Sequence, residues 1–161
     1  MRPLPDLRPG QCGLSRFDAR GVATAELDYL AFISHSSKDR WIARQMAAII
    51  ERKAKRYGVR TFLDEVDLEG GDRIPATIKA NLHACEEFVT LLSPHSITRQ
   101  WVLVELGGAW TLDKRVMAIT YNMAPDKITD IIGHDKGYEL NDFDRYVTEL
   151  IRRIKRKGAK R

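Results

Sequence analysis

The chain has 161 residues, 43% hydrophobic and 30% charged, with a formal net charge of +5; this suits one globular domain with short extensions. Such a chain can bury a core without metal or disulfide staples, and Cys12 and Cys85 stand in no zinc or disulfide spacing, so a reducing cytosol fits. No run of about 18 apolar residues is present, which excludes a spanning helix, and no membrane partner is expected.

Residues 1–27 hold three Pro, three Gly and no clear period, and read as a loose N-terminal arm. They lack the apolar stretch of a secretory signal. "YLAFIS" (29–34) is a short apolar run, expected to be a buried strand. Ser36-x-x-Asp39 resembles a capping box. Trp41, Ile42, Met46, Ile49, Ile50 and Ala54 follow at helical spacing, and Gly58 ends the helix. "VRTFL" (59–63) predicts a second strand, and "DEVDLEGGDR" (64–73) a polar loop. Pro75 suits the first helical position, and Ile78 and Leu82 carry that helix to about Cys85. "EFVTLLS" (87–93) predicts a third strand, and a helix is expected over about 98–113. "VMAITY" (116–121) predicts a fourth strand. A short helix over 126–132 and a weak strand "GYELN" (137–141) follow. Asp142 caps a last helix with Phe143, Tyr146, Val147, Leu150, Ile151 and Ile154 on one side. The final ten residues, "RRIKRKGAKR", hold seven Lys/Arg and no acid, so +5 less +7 leaves −2 for the rest. This tail reads as a solvated helix end whose cations complement the helix dipole. Nucleic acid is not an expected partner, because no aromatic residues are interleaved for stacking.

Alternating helices and apolar strands imply an α/β fold: a flavodoxin-like five-stranded parallel sheet in the order 2-1-3-4-5, with helices on both faces. Ligands bind such sheets where the order reverses, at the carboxyl ends of strands one and three. That places a site among residues 34–37, the loop after Leu63, and Ser93 onward. The helix containing "WVLVELGGAW" (101–110) starts there. On it Val102, Leu106 and Ala109 form one face, suited to the sheet. Trp101, Glu105 and Gly108 form an adjacent face, about 100° round. Gly108 has no side chain there and is expected to leave room for a ligand.

Several chemistries are absent. The chain has no GxGxxG, no GxxxxGK[ST], no GxSxG and no HExxH. The strand ends "SHSS" and "SPHS" lack the aspartates of a phosphoacceptor site. In the acidic loop, Val66 occupies a calcium-ligand position. No metal is expected.

Three segments in order, "FISHSSKD", "FLDEVDLEGGDRI" and "LLSPHSITRQWVLVELGGAW", resemble the Toll/interleukin-1 receptor (TIR) domain in its bacterial form, over about 28–157. The third is the most specific: a Ser after strand three (Ser93 or Ser96), then Trp101 four residues before Glu105-Leu106. The implied organisation is an arm over 1–27, the domain over 28–157 and a basic tail over 158–161. Many bacterial and plant TIR proteins cleave NAD+ at the nicotinamide–ribose bond, releasing ADP-ribose or a cyclic isomer. Others, chiefly animal adaptors, only assemble signalling complexes, and a non-catalytic TIR–TIR module is the alternative. By resemblance Glu105 is the catalytic carboxylate and Trp101 a pocket wall. Ser34, His35 and the loop residues Leu68, Glu69 and Gly71 contact substrate. The loop reads "EVDLEGGD", without the Arg-Asp and Pro-Gly usual in adaptors. The resemblance implies no cofactor, since NAD+ is the substrate. It implies homo-oligomers through TIR–TIR contacts, a companion effector or sensor protein, and a role in defence signalling.

One acid suffices chemically. The nicotinamide of NAD+ is a cation that leaves as a neutral molecule, so no general acid is required. A single carboxylate can stabilise the oxocarbenium-like transition state.

Overall fold

A computed structural model describes residues 29–64, 75–123 and 137–158. The expected short helix over 126–132 and the loop residues Leu68, Glu69 and Gly71 lie outside the described residues, as does the arm over 1–27. The elements are β1 (Tyr29–Ser34), α1 (Arg40–Ala54), β2 (Val59–Leu63), α2 (Ala76–Ala84), β3 (Glu87–Leu92), α3 (Gln100–Thr111), β4 (Arg115–Thr120), β5 (Tyr138–Glu139) and α4 (Phe143–Gly158). All four strand pairings are parallel, in the order β2-β1-β3-β4-β5. The expected doubly wound sheet is therefore present, with β5 reduced to two residues.

The central strands β1 and β3 are buried throughout and mostly apolar because both faces are covered. Ile33, Val89, Leu91, Met117 and Ile119 meet Met46 and Ile50 of α1 and Tyr146 and Leu150 of α4. On the other face Phe32, Phe88 and Leu92 meet Ile78 and Leu82 of α2 and Leu106 and Ala109 of α3. Phe32 stacks on Phe88 with ring centroids 5.4 Å apart. Gly58 takes a left-handed φ of 66° and turns the chain from α1 into β2, as its position predicts.

Three local expectations need correction. The Ser36 hydroxyl does accept from the Lys38 N–H, but it caps a single 3-10 turn (Ser37–Asp39). Asp39 does not close a capping box; it is buried and accepts from the Ser93 hydroxyl at 2.5 Å. The tail is not simply solvated: Arg153 bonds the fully buried Glu87 carboxylate at 2.8 and 3.1 Å, and Lys157 pairs with Glu86. Finally, Gly108 does not face open space. A Cβ there would stand 3.0 Å from Leu82 Cδ2, so this glycine is what lets α2 approach α3.

Gly107 differs from its neighbour. A Cβ at that position meets nothing within 4 Å. Gly107→Ala is therefore expected to stabilise the fold by about 0.5–1 kcal/mol through helix propensity alone. Denaturant unfolding checks this; a fall in the midpoint would contradict it.

No helix among the described residues is long and apolar enough to cross a membrane.

Candidate functional site

Three chain segments meet at the carboxyl ends of β1 and β2. β1 ends in Ser34, fully buried, and His35 behind it is 6% exposed. β2 runs into Asp64, whose N–H donates to the Ile33 carbonyl at 3.4 Å and so extends the β1–β2 ladder by one residue. α3 supplies Trp101 and Glu105, one turn apart.

The turn before α3 is built by its serines. Ser93 Oγ accepts from the N–H groups of His95 and Ser96, both at 3.1 Å, while donating to Asp39. The Ser96 hydroxyl accepts from the Ser93 N–H at 2.7 Å. Arg99 reaches back to the Ser37 hydroxyl at 3.2 Å. These contacts tie the loop after β1 to the loop after β3 and set where α3 begins. Val102, Leu106 and Ala109 then anchor the helix on the sheet, each at most 1% exposed, as their spacing predicts.

That anchoring turns Glu105 inward rather than toward water; it is 2% exposed. Its Oε2 accepts a short hydrogen bond from the Ser34 hydroxyl. Its Oε1 is buried with no hydrogen-bond partner. Trp101 is half-buried, and its indole N–H donates to Asp64 Oδ2 at 2.6 Å. Burial, with the Asp64 carboxylate next in weight, pushes the Glu105 carboxyl up to about 9, against the hydrogen bonds from Ser34 and Trp101 that favour its charged form. A buried acid with an open acceptor is poised to receive a cationic or hydroxyl-bearing ligand.

Of the sequence-predicted residues, Ser34, Trp101 and Glu105 converge. His35 lies buried on the adjoining loop. The residue that sequence reasoning missed is Asp64. Read as the first position of a solvated loop, it is 6% exposed and sits in the middle of the site. Its position at the carboxyl end of a strand flanking the switch point was the available signal. Cys85 is a buried core residue at the carboxyl end of α2, its thiol pushed up to about 11 by burial. Among the described residues no group of three His, Cys, Asp or Glu side chains is placed to hold a metal.

The sequence matches a known family. A TIR domain family model matches residues 31–154, and the chain belongs to that family. A probable 2' cyclic ADP-D-ribose synthase of Brachypodium distachyon, BdTIR, is 25% identical over 134 residues, covering 81% of this chain and 59% of the relative. TcpB of Brucella abortus (strain 2308), also named a probable 2' cyclic ADP-D-ribose synthase, is 27% identical over 118 residues, covering 70% and 46%. The chain thus spans about half the length of the curated relatives it matches. Among solved structures, the TIR domains of the activated Roq1 resistosome superpose with a TM-score of 0.57 at 15% identity, covering 78% of this chain and 99% of that one. The TIR domain of the Toll-related receptor TRR-2 from Hydra magnipapillata gives 0.55 at 20% identity, covering 78% and 97%. Both likenesses concern the fold.

Proposed function

We propose that this chain cleaves NAD+ at the nicotinamide–ribose bond, with Glu105 as the catalytic carboxylate. The observation that carries the reading is the inward-facing Glu105, buried yet with one oxygen unpartnered, on the helix that starts at the sheet's switch point. Membership of the TIR family and the names of the two curated relatives support the same chemistry.

In this reading the substrate's positive charge favours the ionised form of Glu105. As the nicotinamide leaves with the bonding electron pair, the ribose gains oxocarbenium character. The carboxylate stabilises that charge in a site with little water, where electrostatic interactions are strong. The half-buried Trp101 face supplies a wall for planar and cationic groups. Ser34 holds one carboxylate oxygen in place, so the other is free to engage the ribose. His35 and residues 68–71 are proposed to contact the nucleotide. The acceptor is water, giving ADP-ribose, or a hydroxyl of the same substrate, giving a cyclic isomer. Assembly through TIR–TIR contacts, companion proteins and a role in cytoplasmic defence signalling belong to the same proposal.

The test is nicotinamide release by concentrated protein supplied with NAD+, with the second product separated by chromatography. Glu105→Ala is expected to lose at least 100-fold, roughly the cost of removing a principal transition-state contact. Equal release by wild type and Glu105→Ala, under crowding as well as in dilute solution, would leave a non-catalytic interaction module as the function.

A further inference from the structure

The site contains a second carboxylate that the proposed chemistry does not require. Asp64 is buried, its backbone is pinned to β1, and its side chain holds the Trp101 indole at 2.6 Å. It also stands beside Glu105, whose Oε1 has no hydrogen-bond partner. Two carboxylates brought together out of water do not both ionise readily, because each charge opposes the other. Among the described residues, Ser34 from β1 and Trp101 from its own helix also act on Glu105, and both are neutral donors. Asp64 thus adds to burial, the larger cause, in opposing a negative charge on Glu105.

We propose that Asp64 is a positioning residue with two tasks: it fixes the Trp101 ring, and it keeps a proton on Glu105 until a cationic substrate enters. This deepens the reading of Glu105 as the catalytic carboxylate and rests on it. Without substrate, Glu105 is a neutral carboxylic acid at neutral pH. Binding of NAD+ adds a positive charge, Glu105 ionises, and one proton passes to the buffer per occupied site. No electron transfer or further reactant is involved. The resting site is thereby neutralised at Glu105, which lowers the cost of burying that residue between turnovers.

The deciding experiment needs no substrate. The Trp101 indole N–H resonance of the full chain, assigned by its loss in Trp101→Phe, is followed from pH 5 to pH 10. In the wild type it is expected to shift with a midpoint near 9, the ionisation of Glu105. In Glu105→Gln that transition should vanish. Asp64→Asn keeps an acceptor for the indole but removes the charge, so the midpoint should fall by about one unit or more. Asp64→Glu should restore it in part. A wild-type resonance that is flat across this range, or that titrates identically in Glu105→Gln, overturns the proposal even where Asp64→Asn does not fold. An unchanged midpoint in folded Asp64→Asn overturns it as well. Because the readout is independent of turnover, a chain that shows the titration but releases no nicotinamide would refute the enzymatic reading alone. With turnover present, wild type should also release protons on NAD+ binding, and folded Asp64→Asn should release fewer at pH 7.

Discussion

Glu105→Gln is expected to abolish nicotinamide release and, at the same time, to raise the melting temperature at pH 8. Burial and the Asp64 carboxylate hold the folded-state carboxyl at about 9, against an ordinary value of 4.5. The folded chain thus retains a proton that the unfolded chain gives up. The stability this contributes is fully present below pH 4.5 and is lost as pH rises through about 9. Glutamine has the same shape and no ionisation, and its amide can donate to Asp64. The variant should therefore match the wild type near pH 4.5 and exceed it by ~2 kcal/mol or more at pH 8, or about 5–10 °C. Thermal melts at the two pH values check this. A gain that is equal at both would show that Glu105 is not the group responsible. The expected result is a trade between stability and activity at a single residue.

Arg153→Ala is expected to be the most damaging substitution away from the site. Glu87 opens β3 and is fully buried; Arg153 and the Tyr29 hydroxyl hold its carboxylate, the latter at 2.7 Å. Removing the guanidinium leaves a buried carboxylate without its cation, at a cost of about 3–5 kcal/mol. In a domain of this size that lowers the melting temperature by about 10–20 °C. Replacing both partners together, as Glu87→Gln with Arg153→Met, should recover most of the loss. Calorimetry on the single and double variants decides it; a double variant no better than Arg153→Ala would place the damage elsewhere. Cutting the chain before Arg152 removes the same clamp along with buried Ile154, so the cut is expected to unfold the domain rather than to report on a free tail.

What was legible in the sequence followed from burial on two faces. "YLAFIS" is read as a strand, and found as one, because a central parallel strand has no wet side and so leaves a nearly unbroken apolar run; "VRTFL" is the edge strand β2, half-buried past Val59, and is legible from its β-branched and aromatic residues after Gly58. The Val102/Leu106/Ala109 stripe is legible for the matching reason, that a helix covering a sheet needs one apolar face. β5 has only two residues in the ladder, too few to leave a pattern. Asp64, Asp39 and Arg153 were misread or passed over. Each looks like an ordinary surface charge in its own neighbourhood, and each is bonded to a partner 37, 54 or 66 residues away. Gly108 shows a different limit. A helical wheel locates its face but not whether a ligand or another helix occupies the space before it. Glu105 and Ser34 were placed by family resemblance, and the structure brings them into contact across 71 residues.

The parallel sheet also has a consequence for how the protein comes into being. Every strand pairing crosses a long connection, and the Ser34–Glu105 contact closes only after β1, β2, β3 and α3 have all been made. Folds dominated by such distant pairings assemble slowly, since the chain loses loop entropy before the contacts repay it. A nascent chain halted before residue 105 has no acid, and one halted before residue 153 lacks the arginine that locks β3. On the proposed function, a chain that ends before α3 is inactive, because the Asp64–Glu105 pair exists only once α3 has been made.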